Sequence, residues 1–166
     1  PGSAAHWETI EPGHMAEWVW LLREFQRLSD RSVEDRCAAL LSRCQELGLA
    51  SEASGLWDSV TPDGAVLNKT RRLWPQTELL KAHLVQFAAG HHEQLAQCAS
   101  SLRALHSNYL DGCIDGGWLD QRDANGHSLK DLMPASTHYH LLIALHAARQ
   151  SAPLMTYMES QNCPVE

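Results

Sequence analysis

Apolar residues recur every three or four positions in five segments of this chain, and that spacing predicts amphipathic α-helices. The predicted helices cover residues 15–28, 33–47, 76–89, 93–105 and 136–149. Ser32 is the expected N-cap of the second helix, and Gly48 is its expected end. We expect the last helical unit to end near Pro153, because proline cannot continue a helix.

Two segments between the helices are predicted to form β-hairpins. The first, residues 55–68, contains two short strand-like runs around Pro62-Asp63-Gly64. The second, residues 116–126, repeats the Gly, Trp and Asp residues of the first and ends in Asn125-Gly126, a dipeptide typical of type I′ turns. The chain therefore alternates helix pairs with hairpins.

Proline opens three of the helical patterns, at Pro12, Pro75 and Pro134, and it recurs about every 60 residues. Two helices and a hairpin, repeated, predict a helical toroid in which each unit buries its apolar face against its neighbours. Fewer than three units are present. We therefore expect residues 1–166 to form a single-domain fragment, about half of a closed ring.

The composition of the chain limits its partners and its compartment. The formal net charge is −7, and basic residues are scattered outside a short run at residues 69–72, so we expect neither a nucleic acid nor a membrane surface as partner. No apolar run approaches the roughly 18 residues of a membrane span. Cys37, Cys44 and Cys98 fall at apolar helix positions and are predicted to be buried free thiols. Such thiols indicate a reducing compartment, and we predict the cytoplasm.

Ionisable residues follow the prolines, which makes the helix starts the candidate site. His14 and Glu17 are three residues apart on one helical face, where the carboxylate could orient the imidazole. The helix macrodipole disfavours positive charge at an N-terminus, and so favours the neutral imidazole that a general base needs. The alternative is that His14 is an interior histidine and Glu17 a solvated acid.

Glu78 and His140 occupy comparable positions in the other two units. Glu78 lies in the first turn of its helix, where an acid is favourable for structural reasons alone. His138 and His140 lie about 200° apart on a helical wheel, so only one of them can face the interior. If equivalent helix ends point the same way, His14, Glu17, Glu78 and His140 converge on one pocket.

Tryptophans and metal-binding patterns complete the candidate chemistry. Trp18, Trp74 and Trp118 flank helix starts or hairpins, and aromatic faces stack on sugar rings, although tryptophan is also ordinary core material. Two histidines and two acids could form a metal site, but no His-Glu-x-x-His or zinc-type cysteine spacing is present. No P-loop or dinucleotide fingerprint occurs either, so the sequence predicts neither a metal nor another cofactor.

Four ordered motifs together resemble the N-acylglucosamine 2-epimerase family, which includes mannose and sulfoquinovose aldose–ketose isomerases and cellobiose 2-epimerase. The motifs are residues 12–18, 71–78, 116–118 and 133–140. The resemblance implies an all-α fold, part of an (α/α)6 barrel with short β-hairpins between helix pairs. It also implies cofactor-independent proton transfer at C1 and C2 of a sugar. The motif Arg71-Arg72-Leu73-Trp74-Pro75 looks more like the isomerase branch.

The resemblance further implies roles for individual residues. The catalytic residues would be His14, Glu17, Glu78 and His140, with the two histidines as the acid/base pair. The substrate-binding residues would be Trp18, Trp74, Trp118 and Gln121. The earlier half of the family fold has no counterpart here, so the expected partners are a monosaccharide and the N-terminal half of the barrel, with a homodimer as a further expectation.

Other functions stay open at this stage. Epimerisation at C2, as in N-acylglucosamine 2-epimerase, uses the same proton abstraction as aldose–ketose isomerisation. An inverting glycosidase would use Glu17 and Glu78 as its acid and base. A non-catalytic helical module would use the apolar edge that half a toroid exposes. Arg71 and Arg72 are expected to make surface or hairpin contacts rather than sugar contacts.

Overall fold

The computed structural model describes residues 9–51, 54–113, 115–129 and 132–161. The α-helices in these ranges are α1 (Pro12–Leu28), α2 (Glu34–Gly48), α3 (Leu73–Ala88), α4 (Gln94–Leu105), α5 (Ala135–Gln150) and α6 (Ala152–Gln161). A π-helical turn, His106–Leu110, extends α4. The predicted helices are therefore present, and α6 is an addition to them.

The helices form two layers. α1, α3 and α5 lie side by side with α3 in the middle, while α2 packs on α1, α4 on α3, and α6 on α4 and α5. α3 is enclosed on most of its surface, so that polar residues such as Gln76 and His83 are buried along with its leucines. The inner layer of α1, α3 and α5 brings the three proline-marked helix starts to one end of the molecule.

Two apolar clusters hold the layers together. The first joins α3, α4, α5 and α6 and includes the fully buried Leu80 and Leu154. The second joins α1, α2 and α3 and includes Val19 and Leu56. Burying a leucine side chain contributes roughly 2 kcal/mol relative to leaving it in water. Neither cluster could form from one helix pair alone, as the repeat pattern predicts.

Three cysteines pack into these clusters as free thiols. Cys37, Cys44 and Cys98 are all buried, which confirms the prediction from the apolar positions. Burial raises the pKa of Cys44 and that of Cys98 to about 12. Both thiols therefore stay protonated at neutral pH and behave as small apolar side chains.

Short antiparallel strand pairs connect the helices. The pairs are β1 (Leu49–Ser51) with β2 (Gly55–Leu56), β3 (Ser59–Val60) with β4 (Val66–Asn68), and β5 (Arg71–Arg72) with β6 (Gln121–Arg122). β3 and β4 form the predicted first hairpin, and Gly64 in its turn has φ +91°, a left-handed value that glycine adopts readily. Gly55 and Leu56, at the start of the predicted hairpin segment, form β2 and pair with β1 instead.

The second predicted hairpin forms around the predicted Asn125-Gly126 turn, where Arg122 bridges antiparallel to Ser128, but it extends past residue 126 and its turn is not of type I′. β6 also pairs with β5 of the preceding unit, which ties the two units together. A type I′ turn needs left-handed φ at both central residues, but only Gly126 of the Asn125-Gly126 pair has one, at +89°. The turn is held by Asp123 Oδ1, which accepts hydrogen bonds from the backbone amides of Asn125 and His127 at 2.8 and 2.9 Å.

Helix ends also differ from the predictions. α2 begins at Glu34, and Ser32 Oγ lies 3.5 Å from the Glu34 amide. The chain's helices do not end near Pro153, because Pro153 lies in the first turn of α6, where its missing N–H costs no hydrogen bond. None of the described helices has the length and apolar character needed to span a bilayer. The two ends of the predicted 1–166 domain lie outside the described residues.

Candidate active site

The starts of α1, α3 and α5 surround one open cavity of about 360 Å³. The residues that line it are His14, Glu17, Arg72, Trp74, Asp120, Pro134, Ser136, Thr137, Tyr139 and His140. Three of the predicted catalytic residues, His14, Glu17 and His140, therefore face one cavity. Glu78 lies behind His140 and is hydrogen-bonded to it. The repeated helix starts therefore bring the four side chains together.

Trp74 lies between the two histidines. Its ring centroid is 4.9 Å from that of His14 and 5.6 Å from that of His140. Gly13 makes this arrangement possible, because a Cβ atom on it would lie only 2.8 Å from Trp74 Cη2 and 2.8 Å from Pro75 Cβ. The close approach of α1 to α3 thus fixes the indole as a wall shared by both imidazoles.

His140 is buried and hydrogen-bonded to Glu78, with 2.6 Å between Nδ1 and Glu78 Oε1. An ionised carboxylate can only accept, so Nδ1 is the donor in this bond, and in the neutral imidazole Nε2 then has a free lone pair. Lys81 Nζ lies 2.8 Å from Glu78 Oε2 and forms an ion pair with it. The ammonium group is not oriented to donate a hydrogen bond to that oxygen. The arrangement suits a neutral imidazole that accepts a proton at Nε2. His138 faces away from this interior, as the helical wheel predicts for one of the pair.

His14 has an environment that the sequence did not predict. Its side chain is 57% exposed, and its Nδ1 lies 3.3 Å from Glu11 Oε2. The acid paired with His14 is therefore Glu11, one turn earlier, and not Glu17. The interior alternative for His14 is also wrong, because the imidazole faces open solvent in the cavity.

Glu17 completes a cluster with Glu78 and His140, in which one potential ligand atom from each residue lies within 4.8 Å of the others. Such a set could hold a cation. However, Lys81 already supplies a positive charge at Glu78, and the Nδ1 atom of His140 is used in its hydrogen bond. We therefore interpret the cluster as a hydrogen-bonding group, and the absence of a metal stays a prediction.

Tyr139 is a lining residue that the sequence did not single out. Its ring lies against His140, with 3.9 Å between centroids. Burial, followed by the nearby carboxylates of Glu17 and Glu78, raises the pKa of Tyr139. The phenol therefore remains a hydrogen-bond donor at the cavity. Its position directly before His140, itself a candidate site residue, was the available signal in the sequence.

Arg72 also lines the cavity, which corrects the expectation that it makes only surface or hairpin contacts. Its Nε lies 3.2 Å from Asp58 Oδ1, and its guanidinium carbon lies 5.6 Å from the centroid of the Trp74 ring. Arg71 does make a hairpin contact, donating from Nη2 to the Asp123 carbonyl at 2.8 Å, but it is buried rather than at the surface. Arg72 lies two residues before Trp74 in a short basic run, and that run gave no signal of a cavity residue.

Gln121 belongs to a polar network behind the cavity. Its Nε2 donates to Thr70 Oγ1 at 3.0 Å and to Asp58 Oδ2 at 3.2 Å. Asp58 is itself buried and accepts from the Arg72 backbone amide at 2.7 Å. Because its amide is used in this network, Gln121 supports the start of α3 and is not among the residues that line the cavity, and its substrate-binding role stays a prediction.

Two predicted sugar-binding tryptophans also lie outside the cavity. Trp18 is exposed on α1, although Glu17 beside it faces the cavity. Trp118 stacks on His138 with 5.6 Å between ring centroids and an angle of 5° between planes. That pair lines a second, separate cavity bounded by leucines of α5. Of the three predicted tryptophans, only Trp74 contacts the residues that form the candidate site.

The loop before α5 connects the walls of the cavity. The backbone carbonyl of Asp120 accepts from the Leu73 amide at 2.8 Å, and its Oδ1 accepts from Thr137 Oγ1 at 2.7 Å. Asp120 is buried. It therefore fixes the start of α3 relative to the start of α5, and with them the positions of Trp74 and His140.

Comparisons with known proteins identify the family that the sequence motifs resemble. The profile of the N-acylglucosamine 2-epimerase (GlcNAc 2-epimerase) family matches residues 5–144. A mannose-6-phosphate isomerase of Rhizobium meliloti (strain 1021) is 32% identical over 142 residues, which are 82% of this chain and 36% of that protein. The chain thus spans little more than a third of that relative.

Solved structures share the fold. A D-mannose isomerase superposes with a TM-score of 0.76 at 22% identity, covering 86% of this chain and 37% of the other. A cellobiose 2-epimerase from Spirochaeta thermophila DSM 6192 superposes with a TM-score of 0.66 at 18% identity, covering 92% and 42%. The two layers of helices are therefore part of an (α/α)6 barrel, as predicted. This chain belongs to the N-acylglucosamine 2-epimerase family.

Proposed function

We propose that this chain is the C-terminal half of a sugar isomerase or 2-epimerase that moves a proton at C1 and C2 of a hexose. The observation that supports this most is the 2.6 Å bond between His140 and Glu78 beside a cavity that also exposes His14. The matched relatives are named as isomerases and an epimerase, in agreement with this reaction.

The proposed chemistry follows from the weak acidity of the hydrogen next to an open-chain sugar carbonyl. His140 would remove that proton through Nε2, while Glu78 holds its ring through Nδ1. The developing enediolate oxygen needs donors, and the Tyr139 hydroxyl and Arg72 guanidinium are available at the cavity. Neither step requires a cofactor, in line with the sequence prediction.

His14 is proposed as the second proton-transfer group, because it lines the same cavity as His140 and both imidazoles lie beside the Trp74 ring. A proton returned to C1 gives a ketose, and one returned to the opposite face of C2 gives an epimer. We propose mannose–fructose isomerisation as the main reaction, with N-acylglucosamine-type epimerisation as the alternative. Glu17 would accept a hydrogen bond from a sugar hydroxyl, and Trp74 would contact the sugar.

An inverting glycosidase is disfavoured by the geometry. Such enzymes need their two carboxyl groups roughly 6.5–9.5 Å apart to admit a water. Glu17 and Glu78 each place an oxygen within 4.8 Å of the other, and Glu78 is buried between His140 and Lys81. Glu78 is therefore placed to hold His140 rather than to protonate a glycosidic oxygen.

The remaining partners and the compartment are proposals as well. The inner-layer helices α1 and α5 leave apolar side chains such as Phe25 and Leu142 exposed, and the N-terminal half of the barrel would cover them. A homodimer stays a prediction. We place the protein in the cytoplasm because Cys37, Cys44 and Cys98 are free thiols.

The test is proton NMR in D2O with the full-length protein that contains this chain. Mannose, glucose, fructose and N-acetylmannosamine are incubated separately, with heat-denatured protein as the control. Deuterium at C2 with a ketose appearing would establish the isomerase. Deuterium with only the C2 epimer would establish the epimerase.

A non-catalytic helical module is the competing outcome. It predicts that none of the four sugars exchanges and that this 166-residue chain is a folded monomer by size-exclusion chromatography and circular dichroism. A truncated enzyme predicts the opposite for the isolated chain, namely aggregation or obligate assembly through the exposed faces of α1 and α5. The two measurements together separate the module from the enzyme.

A further inference from the structure

Lys81 is a buried cation that the proposed chemistry does not use. Its side chain is 3% exposed, and that of its partner Glu78 is 0% exposed. Moving an ammonium group out of water costs several kcal/mol, which a structure must offset with a specific partner. The position of Lys81, one turn after Glu78 on α3, places Nζ 2.8 Å from Glu78 Oε2. The ammonium group is thus built into the site.

Trp20 covers the other side of this ammonium group. Lys81 Nζ lies 4.4 Å from the centroid of the Trp20 ring, a cation–π contact made from α1. The four side chains Trp20, Lys81, Glu78 and His140 therefore form a continuous series from α1 through α3 to α5. This series ends at the imidazole that faces the cavity.

The positive charge of Lys81 determines what Glu78 can do for His140. While Glu78 is ionised, it only accepts, and His140 must carry its proton on Nδ1. Without Lys81, Glu78 would be a buried carboxylate close to Glu17, a situation that favours proton uptake. A protonated Glu78 could donate to Nδ1, which would move the imidazole proton to Nε2. A proton taken up by the imidazole itself would also occupy Nε2.

We propose that Lys81 is a positioning residue, which keeps Glu78 ionised and so holds His140 in the tautomer that has a free Nε2. The proposal deepens the proposed function and rests on it for its catalytic consequence. The other titratable groups that contact Glu78 or His140 are Glu17 on α1 and Tyr139 on α5, and neither carries a positive charge. Arg72 and His14 line the same cavity, but their ion pairs are with Asp58 and Glu11. Within the described residues, Lys81 is therefore the cation paired with Glu78.

The first readout is the state of the His140 ring in the full-length protein without substrate. Two-bond ¹⁵N–¹H NMR spectra of imidazoles distinguish protonated from unprotonated ring nitrogens, and the His140→Gln spectrum identifies the His140 signals. We expect the wild type to show Nδ1 protonated and Nε2 free. Lys81→Met should move the proton to Nε2 or protonate both nitrogens. An unchanged pattern in Lys81→Met would overturn the proposal.

The second readout is kinetic. Lys81→Met should lower kcat about 100-fold and leave KM within about threefold, since the residue acts on the base and not on sugar binding. Lys81→Arg should restore most of kcat, because it returns the charge. A loss of kcat in Lys81→Met together with an unchanged tautomer would assign Lys81 a structural role only and overturn the proposal.

A folding failure of Lys81→Met is distinguished by circular dichroism and thermal unfolding. Lys81→Gln then serves as the second variant, because its amide keeps a donor for Glu78 while removing the charge. It should show the same change in tautomer, and an unchanged wild-type pattern in it would overturn the proposal. The NMR readout of the His140 tautomer needs no turnover. If the wild type acts on no sugar, the proposed function is contradicted, and the NMR readout still decides the role of Lys81.

Discussion

His140 and Glu78 lie 62 residues apart in the sequence, and their side chains meet at 2.6 Å. The bond joins α5 to α3, so one contact both packs the inner layer and orients the imidazole at the cavity. Removing it should therefore affect the position of the ring before it affects the fold, because the apolar cluster between the same helices remains.

Gly13 allows α1 to approach α3, and Gly13→Ala should separate them. The new Cβ would lie 2.8 Å from both Pro75 Cβ and Trp74 Cη2, which is closer than carbon atoms pack. We expect a loss of about 1–3 kcal/mol in the free energy of unfolding and a shift in tryptophan fluorescence. Urea unfolding with Ser42→Ala, on the exposed face of α2, is the matched control. Equal stability of the two variants would contradict the close contact.

Asp58 holds the backbone before α3, and Asp58→Asn should loosen it. The buried carboxylate accepts from the Arg72 amide and from Gln121 Nε2, whereas an asparagine would offer one acceptor and place an NH2 group against donors. We expect a loss of about 1–3 kcal/mol in stability. In the full-length enzyme KM should also rise, because Arg72 lines the cavity. The control is Asp30→Asn, at an exposed position after α1, and a variant as stable as this control would contradict the role of the network.

Several features of the site were predictable because they are local. Pro12, Pro75 and Pro134 mark helix starts by a rule that needs no tertiary contact, and the repeat then predicts that His14, Glu17, Glu78 and His140 converge. The burial of Cys37, Cys44 and Cys98 likewise follows from helical spacing. The repeat predicted a helical toroid, and the resemblance of the four motifs to a known family implied that it is part of an (α/α)6 barrel.

Other features depend on contacts between distant segments. β6 pairs with β5 in addition to its bridge to Ser128, and nothing in residues 116–126 specifies β5 as a partner. Lys81 is an ordinary helix residue in the sequence, and its burial depends on the helices packed around α3, including Trp20 of α1 over its ammonium group. Glu11 replaces Glu17 as the partner of His14, and both acids lie three residues from it, so sequence spacing did not choose between them. The tryptophan positions suggested sugar contacts, but only Trp74 lies in the cavity.

Acid should weaken the contact between α1 and α2 at Glu34. Arg23 donates to both Glu34 oxygens, at 2.7 and 2.9 Å, and with His91 it lowers the pKa of Glu34 to about 2. A lowered carboxyl pKa means that the ionised group stabilises the fold above its ordinary value of 4.5, and this contribution is lost as the pH falls from 4.5 toward 2. Wild type and Glu34→Gln should therefore differ in stability at pH 7 and converge near pH 2.

The measurement is chemical unfolding from pH 7 to pH 2.5, with Glu24→Gln as the control. Glu24 pairs with Arg27 at the surface, where ion pairs contribute little, so that variant should follow the wild type throughout. A difference in the free energy of unfolding between wild type and Glu34→Gln that stays constant at all pH values would contradict this prediction. It would show that the substitution acts through packing and not through the charge of Glu34.

The most direct test of proton transfer by His140 is the rate at which the full-length protein exchanges the C2 hydrogen of mannose for deuterium. His140→Gln should lower this rate by about 10²–10⁴-fold, the contribution of a general base. His138→Gln is the matched control, because His138 lies on the same helix but stacks on Trp118 outside the cavity. Loss of exchange in His140→Gln alone is the predicted result, and exchange at the wild-type rate in His140→Gln would contradict it.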